Sequence, residues 1–348
     1  MLIQNFFWIR KPLGLKTLFS RTLVTFQNLN HFGKLKCKCP SIPVIIKCID
    51  PHEVPNGNMA FLRFQENKSQ KIINDDDLIT HVNTSYCENS NTLTINEKNM
   101  ILDSNISLVL EIPHNYNIDV HALNVFVKET EGKTLNVVSS GSCKLGKIKS
   151  DTVEVTSHGT FDCKALLGNG ILNLEQDGNL GKIQSKNLYI RSSGNLNISS
   201  CYCPQLKCLS DTGSITIRNL HGSSDIESVS GDVTISSLDG NTSIQTQSGD
   251  IDTTIDSCKH VFLQTQQGNI NVGVSDSLSA FIDAIGSYID VPQDLLIDGM
   301  KREESTGVQY FEGKLGSSVD NTISVKTIHG TFSISKRDWF SKFNINLD

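Results

Sequence analysis

The sequence predicts an all-β chain whose main body is a single-stranded parallel β-solenoid. Three observations predict it: glycines at a near-constant spacing, apolar alternation after each glycine, and a composition with 25 glycines and 8 prolines in 348 residues. That composition fits a turn-rich β protein and not a collagen-like array.

The glycines are Gly141, Gly159, Gly178, Gly194, Gly213, Gly231, Gly249, Gly268 and Gly286, spaced 18, 19, 16, 19, 18, 18, 19 and 18 residues apart. A period of this length marks a repeat whose units bury their apolar faces only by stacking on neighbours. After the glycine comes a polar residue and then alternating apolar ones, as in Ser214-Ile215-Thr216-Ile217, Asp232-Val233-Thr234-Ile235 and Asn269-Ile270-Asn271-Val272. Such alternation is the strand period. Five residues before the glycine stand Cys208, Ile226, Ile244, Leu263 and Phe281, and three before it Ser210, Ser228, Thr246 and Thr265.

Each 18–19-residue coil is thus expected to be two short strands joined at a tight turn. The glycine supplies a backbone conformation that a Cβ disfavours, and Gly222 or Gly240 closes the far end of some coils. Like stacked on like gives parallel ladders about 4.8 Å apart. The inner Ser/Thr row is expected to hydrogen-bond along the stack, over an aliphatic core. Parallel crossovers favour a right-handed solenoid.

The solenoid is expected over residues 106–337, interrupted at 291–318 through Lys301-Arg302-Glu303-Glu304 and resuming at Ile323 to Phe332. Residues 338–348, with Trp339, Phe340 and Phe343, read as a C-terminal cap on the open core. A small N-terminal β segment is expected over 40–105, with Pro43–Cys48 and Met59–Phe64 as its β-like runs.

Residues 1–36 read as a leader. No Asp or Glu occurs before Asp50, while Arg10, Lys11, Lys16, Arg21, Lys34 and Lys36 are interleaved with apolar, Ser and Thr residues. That is the composition of a mitochondrial transit peptide, and it places the protein in the mitochondrial matrix. A secretory signal puts its charge before the apolar run, but here Phe6 to Ile9 precedes Arg10. Loss of the leader's six basic residues takes the net charge from −6 to −12. So acidic a chain lacks the basic stripe that nucleic acid needs. Its longest apolar runs, such as Phe6–Ile9 and Val44–Ile46, are too short to span a bilayer.

From Leu108-Val109-Leu110-Glu111-Ile112-Pro113 onward, in units such as Ser228-Val229-Ser230-Gly231-Asp232-Val233-Thr234-Ile235, the chain resembles the putative-adhesin family of bacterial domains. The likeness covers about residues 105 to 335. The whole chain, with Phe32-Gly33-Lys34-Leu35-Lys36-Cys37, resembles the animal family with sequence similarity 185. These resemblances imply a β-solenoid without established activity and hand over no catalytic residues.

Ten cysteines raise metal and disulfide readings, but Cys37-x-Cys39 and Cys201-x-Cys203 with Cys208 lack the paired CxxC spacing of a structural zinc site. In the repeat register Cys143, Cys163, Cys201 and Cys208 fall at inward slots, where a thiol acts as a small hydrophobe. The sharpest chemical feature is a set of outward carboxylates, Asp232, Asp250 and Asp252, with Asn269 and Asn271 one coil further. Carboxylates so placed could bind a hard cation or act as an acid–base pair on a glycan. Turn positions also favour Asp and Asn for local hydrogen bonds. His158, His221 and His329 each precede a glycine, a turn placement that needs no function. No phosphate loop, G-x-S-x-G elbow or helical His pair occurs in the sequence.

The expected role is a non-enzymatic scaffold or protein-binding solenoid in mitochondria, with a protein partner and no cofactor. One alternative is a carbohydrate-active or glycan-binding β-helix working through Asp232, Asp250 and Asp252. Its sparse aromatics, 7% of the chain, offer few platforms for sugars. Another is a secreted adhesin, glycosylated at Asn67, Asn83, Asn105, Asn197 and Asn241.

Overall fold

A computed structural model describes residues 24–26, 29–49, 59–66, 72–73, 81–99, 105–292, 295, 298–305, 307–316 and 320–336. The leader up to residue 23 and the expected cap at 338–348 lie outside the described residues. The chain forms two compact units, Met1–Gly168 and Asn169–Asp348. The regular elements described are almost all strands, joined in parallel over most of their length. The expected all-β parallel solenoid is what the chain forms.

In the second unit, Leu196–Ser210, Ile215–Ser230 and Val233–Ser248 are each one coil of the stack. Their registers align like with like. Ile215 lies beside Val233, then Ile251 and Ile270; Ile226 lies beside Ile244 and then Leu263. These rows are fully buried, and each such aliphatic side chain stabilises the fold by roughly 1.5–3 kcal/mol.

The turn glycines form a column for a steric reason. A Cβ on Gly249 would stand 2.4 Å from the Gly231 carbonyl oxygen, and one on Gly268 would stand 2.1 Å from that of Gly249. Backbone here packs on backbone, so no side chain fits. At Gly249 φ is also +146°, a region that L-residues rarely adopt.

Two glycines of the expected series leave this column. Gly178 pairs with Leu196, two residues past the turn, and a Cβ on Gly194 would meet the Asp177 backbone instead. Gly286 faces the Thr327 methyl, and the place after Gly268 is taken by Gly330. The Ser/Thr row also differs from expectation. Three of its four hydroxyls bond turn carbonyls and not one another: Ser210 donates to Gly213 O at 2.6 Å, Ser228 to Gly231 O at 3.2 Å, and Thr265 to Gly249 O at 3.1 Å, while the buried Thr246 hydroxyl makes no hydrogen bond among the described residues. A carbonyl that turns inward needs a donor there, and the short hydroxyl supplies it.

Towards the end of this unit, chain order and spatial order part. The strand Thr322–His329 lies between His260–Gln267 and Ala280–Gly286, parallel to both. Thr331–Lys336 likewise lies between Ile270–Val274 and Tyr288–Asp290. The last coil is thus inserted between two earlier ones. The expected interruption forms an antiparallel hairpin, Asp298–Ser305 with Val308–Leu315, whose second strand pairs with Ala280–Gly286.

The first unit repeats the device. Lys34–Cys39 lies between Thr92–Glu97 and Asn117–Ala122, and Val44–Cys48 between Ile106–Ile112 and Val125–Thr130, all parallel. Residues 34–48 are therefore a coil of the solenoid. Leu35, Cys37 and Cys39 are each 0% exposed, so the expected leader boundary at residue 36 falls inside a buried strand. The expected separate segment over 40–105 is in part this coil and in part antiparallel strands on it: Ala60–Glu66 on Ile106–Ile112, and Val82–Cys87 on Thr92–Glu97.

Candidate functional site

The carboxylates singled out in the sequence lie on the turn side of the second unit, and two are engaged by the backbone. Asp232 Oδ1 accepts the Asp250 amide at 2.9 Å, and Asp250 Oδ1 accepts the Asn269 amide at 2.7 Å. Asn269 in turn accepts the Thr331 amide at 3.0 Å, and Asp177 that of Asn195 at 2.8 Å. Asp232, Asp250 and Asn269, each following a turn glycine, thus cap an amide of the neighbouring coil, and Asp177 does the same from the position before Gly178, the local role that suits Asp and Asn at turns. Asp252 stands two residues along, in register with Thr234 and Asn271. Among the described residues no three His, Cys, Asp or Glu side chains are grouped to hold a metal ion.

All ten cysteines are free thiols, and eight are buried. Burial pushes the Cys208 thiol up to about 12 and Cys258 up to about 11. A hydrogen bond with Cys203, and then burial in the core, hold the Cys201 thiol protonated. Cys37 and Cys39 place their sulfurs 3.8 Å apart on the inner face of their strand. Cys143, Cys163, Cys201 and Cys208 are buried core residues, as the repeat register implies, whereas the Cys201 hydrogen bond lowers the Cys203 thiol to about 7.

One row of ionisable groups was not assembled by the sequence reading. Tyr202, His221, Asp239 and Ser257 stand side by side on adjacent strands at the far turn. The Tyr202 and His221 rings stack with centroids 4.6 Å apart and planes within 3°. Lys182 Nζ stands 6.0 Å from the Tyr202 ring centre. His221 Nδ1 lies 3.2 Å from Asp239 Oδ2, and the Ser257 hydroxyl donates to the other Asp239 oxygen. That hydroxyl first, and His221 second, hold the Asp239 carboxyl below its usual range. Here the carboxylate sits between serine and imidazole. Activation of a serine nucleophile requires the imidazole between them, so the row does not prepare Ser257 for attack. The signal in the sequence was the spacing: 202, 221, 239 and 257 follow the coil period.

A third feature lies at the last coil of the unit. Tyr288, Tyr310 and Ile328 are large apolar residues left 55%, 44% and 45% exposed. Ser287, next to Tyr288, donates to the Ile328 carbonyl at 3.0 Å, and Gln309, next to Tyr310, accepts the Ile289 amide at 2.9 Å. The three therefore sit at one corner, with Tyr310 opposite Ile285 across the strand pair.

Among the described residues no helix is long and apolar enough to cross a membrane. No curated protein matches the chain. Among solved structures it is similar to a protein from Bacteroides fragilis described as a putative adhesin, at 11% identity and a TM-score of 0.28, covering 90% of this chain and 96% of that one. The family model described as Toastrack DUF4097 matches residues 62–335. Covering well over half of the chain, from Leu62 onward, that match means that the chain belongs to the Toastrack DUF4097 family.

Proposed function

We propose that this chain is a non-enzymatic scaffold that binds a protein partner in mitochondria. The observation that carries the binding reading is the bare corner formed by Tyr288, Tyr310 and Ile328. Neighbouring large apolar side chains left in water mark interaction sites, and tyrosine is prominent among residues that dominate interface energies. The resemblance of the whole chain to the animal family with sequence similarity 185 belongs to the same proposal.

The mitochondrial part rests on the acid-free, Arg- and Ser/Thr-containing leader. The fold sharpens where it can be cut. Cleavage must spare Lys34–Cys39, and also Val24–Phe26, which pairs with Ala60–Glu66. The processed chain is therefore expected to begin before Val24.

The test is purification of the full, C-terminally tagged chain from fractionated cells, with its mature N-terminus sequenced. The expected product is cut before Val24, mitochondrial, and accompanied by one stoichiometric protein. The double change Tyr288→Ser and Tyr310→Ser is expected to release that protein without lowering the melting temperature. A secreted product glycosylated at Asn83, Asn105, Asn197 or Asn241 would overturn the mitochondrial assignment. A partner retained by the double variant would overturn the docking corner.

A further inference from the structure

A shallow trough of about 450 Å³ runs across the strands of the second unit, and its lining carries no Asp, Glu, Lys or Arg. One wall is Asn241, His260 and Thr322; the other is Ser243, Phe262 and Ser324. Strand registers set both walls: Phe262 lies beside Ser243 and then Ser324, and Thr322 lies beside His260. Successive wall residues thus stand about 4.8 Å apart along the stack. The trough exists because the last coil is inserted, which brings Thr322 and Ser324 against residues some sixty positions earlier.

The polar atoms of these walls are oriented and partly uncommitted. Asn241 Oδ1 accepts the amides of Lys259 and His260 at 3.3 and 3.1 Å, which fixes the side chain and leaves its NH₂ to donate. His260 Nδ1 is 2.8 Å from the Thr322 hydroxyl, which leaves Nε2 for another partner. The Ser324 hydroxyl makes no hydrogen bond among the described residues. Between them the Phe262 ring is half-buried, with one part bare.

We propose that this trough binds a neutral oligosaccharide, a pyranose C–H face resting on Phe262 with its hydroxyls meeting Asn241, His260 and Ser324. Several short, oriented, uncharged donors and acceptors around one aromatic face match the alternating polar rim and apolar face of a sugar. A peptide would need a pocket for an anchoring side chain or a free sheet edge, and the trough offers neither. Asp225 and Asp283 end the Ser243–Phe262–Ser324 row; Asp225 is paired with Lys207 at 3.5 Å, and Asp283 is the carboxylate that disfavours an anionic glycan. The inference goes beyond the scaffold reading and uses none of its residues.

The experiment is calorimetric titration and saturation-transfer NMR of the full chain with maltohexaose, cellohexaose and chitohexaose, against a galacturonic acid hexamer. At least one neutral hexasaccharide is expected to bind with a Kd of about 1 mM or tighter, and the acidic hexamer not to bind. Phe262→Ala is expected to weaken binding about tenfold, the loss of one aromatic contact. Ser324→Glu, which puts a charge into the trough and leaves the core alone, is expected to abolish it. No affinity for any neutral hexamer, affinity unchanged in both variants, or tighter binding of the acidic hexamer would each overturn the proposal. So would a protein partner that Phe262→Ala releases in a chain without sugar affinity. A protein held through Tyr288 and Tyr310 survives both variants, so failure of the sugar leaves the scaffold reading standing.

Discussion

The middle coils of the second unit and the coil that follows the hairpin are built of the same parts and assembled differently. From Leu196 to Ser248 each coil stacks on the one before it, and neighbours in space are 18 or 19 residues apart in sequence. At the end, His260 meets Thr322 across 62 residues, and Ser287 meets Ile328 across 41. The chemistry of both regions is equal: buried aliphatic rows, inward hydroxyls and Asx caps. What differs is loop closure. The inserted coil can pair only after the chain has returned across some sixty residues, and long-range pairings of this kind form slowly. The first unit has the same arrangement at its start, where Lys34–Cys39 waits for strands beginning at Thr92 and Asn117.

The largest expected effect breaks that comparison at the chain's start. A chain beginning at Lys38 lacks the first four residues of the strand Lys34–Cys39, among them the wholly buried Leu35 and Cys37. It is expected to lose the cooperative melting of the first unit, whereas a chain beginning at Val24 retains it; circular dichroism melting and limited proteolysis compare them.

Next comes the glycine column. Gly249→Ala meets a carbonyl at 2.4 Å in a strained conformation, and a cost of about 2–3 kcal/mol is expected. Gly286→Ala meets the Thr327 methyl at 2.9 Å, with ordinary φ, and a smaller cost of about 1–2 kcal/mol is expected because it meets a side chain and carries no backbone strain. Denaturant midpoints read the difference. Equal costs would mean that Gly286 also belongs to the column.

Smaller still is Ser210→Ala, which leaves the buried Gly213 carbonyl without its hydroxyl donor. About 1 kcal/mol is expected, measured by the same midpoints.

The smallest is a pH effect at the exposed row. Asp239 is held below its usual range by Ser257 and then His221. A carboxyl with a depressed folded pKa adds stability above its unfolded pKa, and that stability is lost as pH falls through the folded value. Asp239→Asn is therefore expected to lower stability at neutral pH, by under about 1 kcal/mol because the pair is solvated. The difference from the parent chain should vanish towards pH 2, read by parallel melts.

The fold class was legible because a stacked coil must repeat its inward residues, and Ile215, Val233, Ile251 and Ile270 do so at a readable period. The slip at Gly178 was foreshadowed by the single 16-residue spacing to Gly194. The strand Lys34–Cys39 also carried its signal, strict alternation of Lys with Leu and Cys, but basic residues on an outer strand face read equally as an amphipathic leader. The inserted coils were not legible. A period says which residues share a row and not in which order the rows are stacked. The carboxylates were visible as outward groups, while the amides that occupy Asp232 and Asp250 belong to the neighbouring coil and appear only once the coils are in register. The trough around Phe262 was hidden for the same reason, since one of the three residues in each wall arrives with the last coil.

Paired cysteines test the inserted coil most directly. Gln264, Lys326 and Ile285 share one outward row, with Lys326 between the other two. Adjacent parallel strands hold such residues about 5 Å apart, within disulfide reach, and next-nearest strands at about 10 Å are beyond it. Under mild oxidation the pair Gln264→Cys and Lys326→Cys is expected to cross-link, as is Lys326→Cys with Ile285→Cys, while Gln264→Cys with Ile285→Cys stays reduced. A bond between positions 264 and 285 with none between 264 and 326 would mean that the coils stack in chain order, contradicting the inserted coil and the trough it builds.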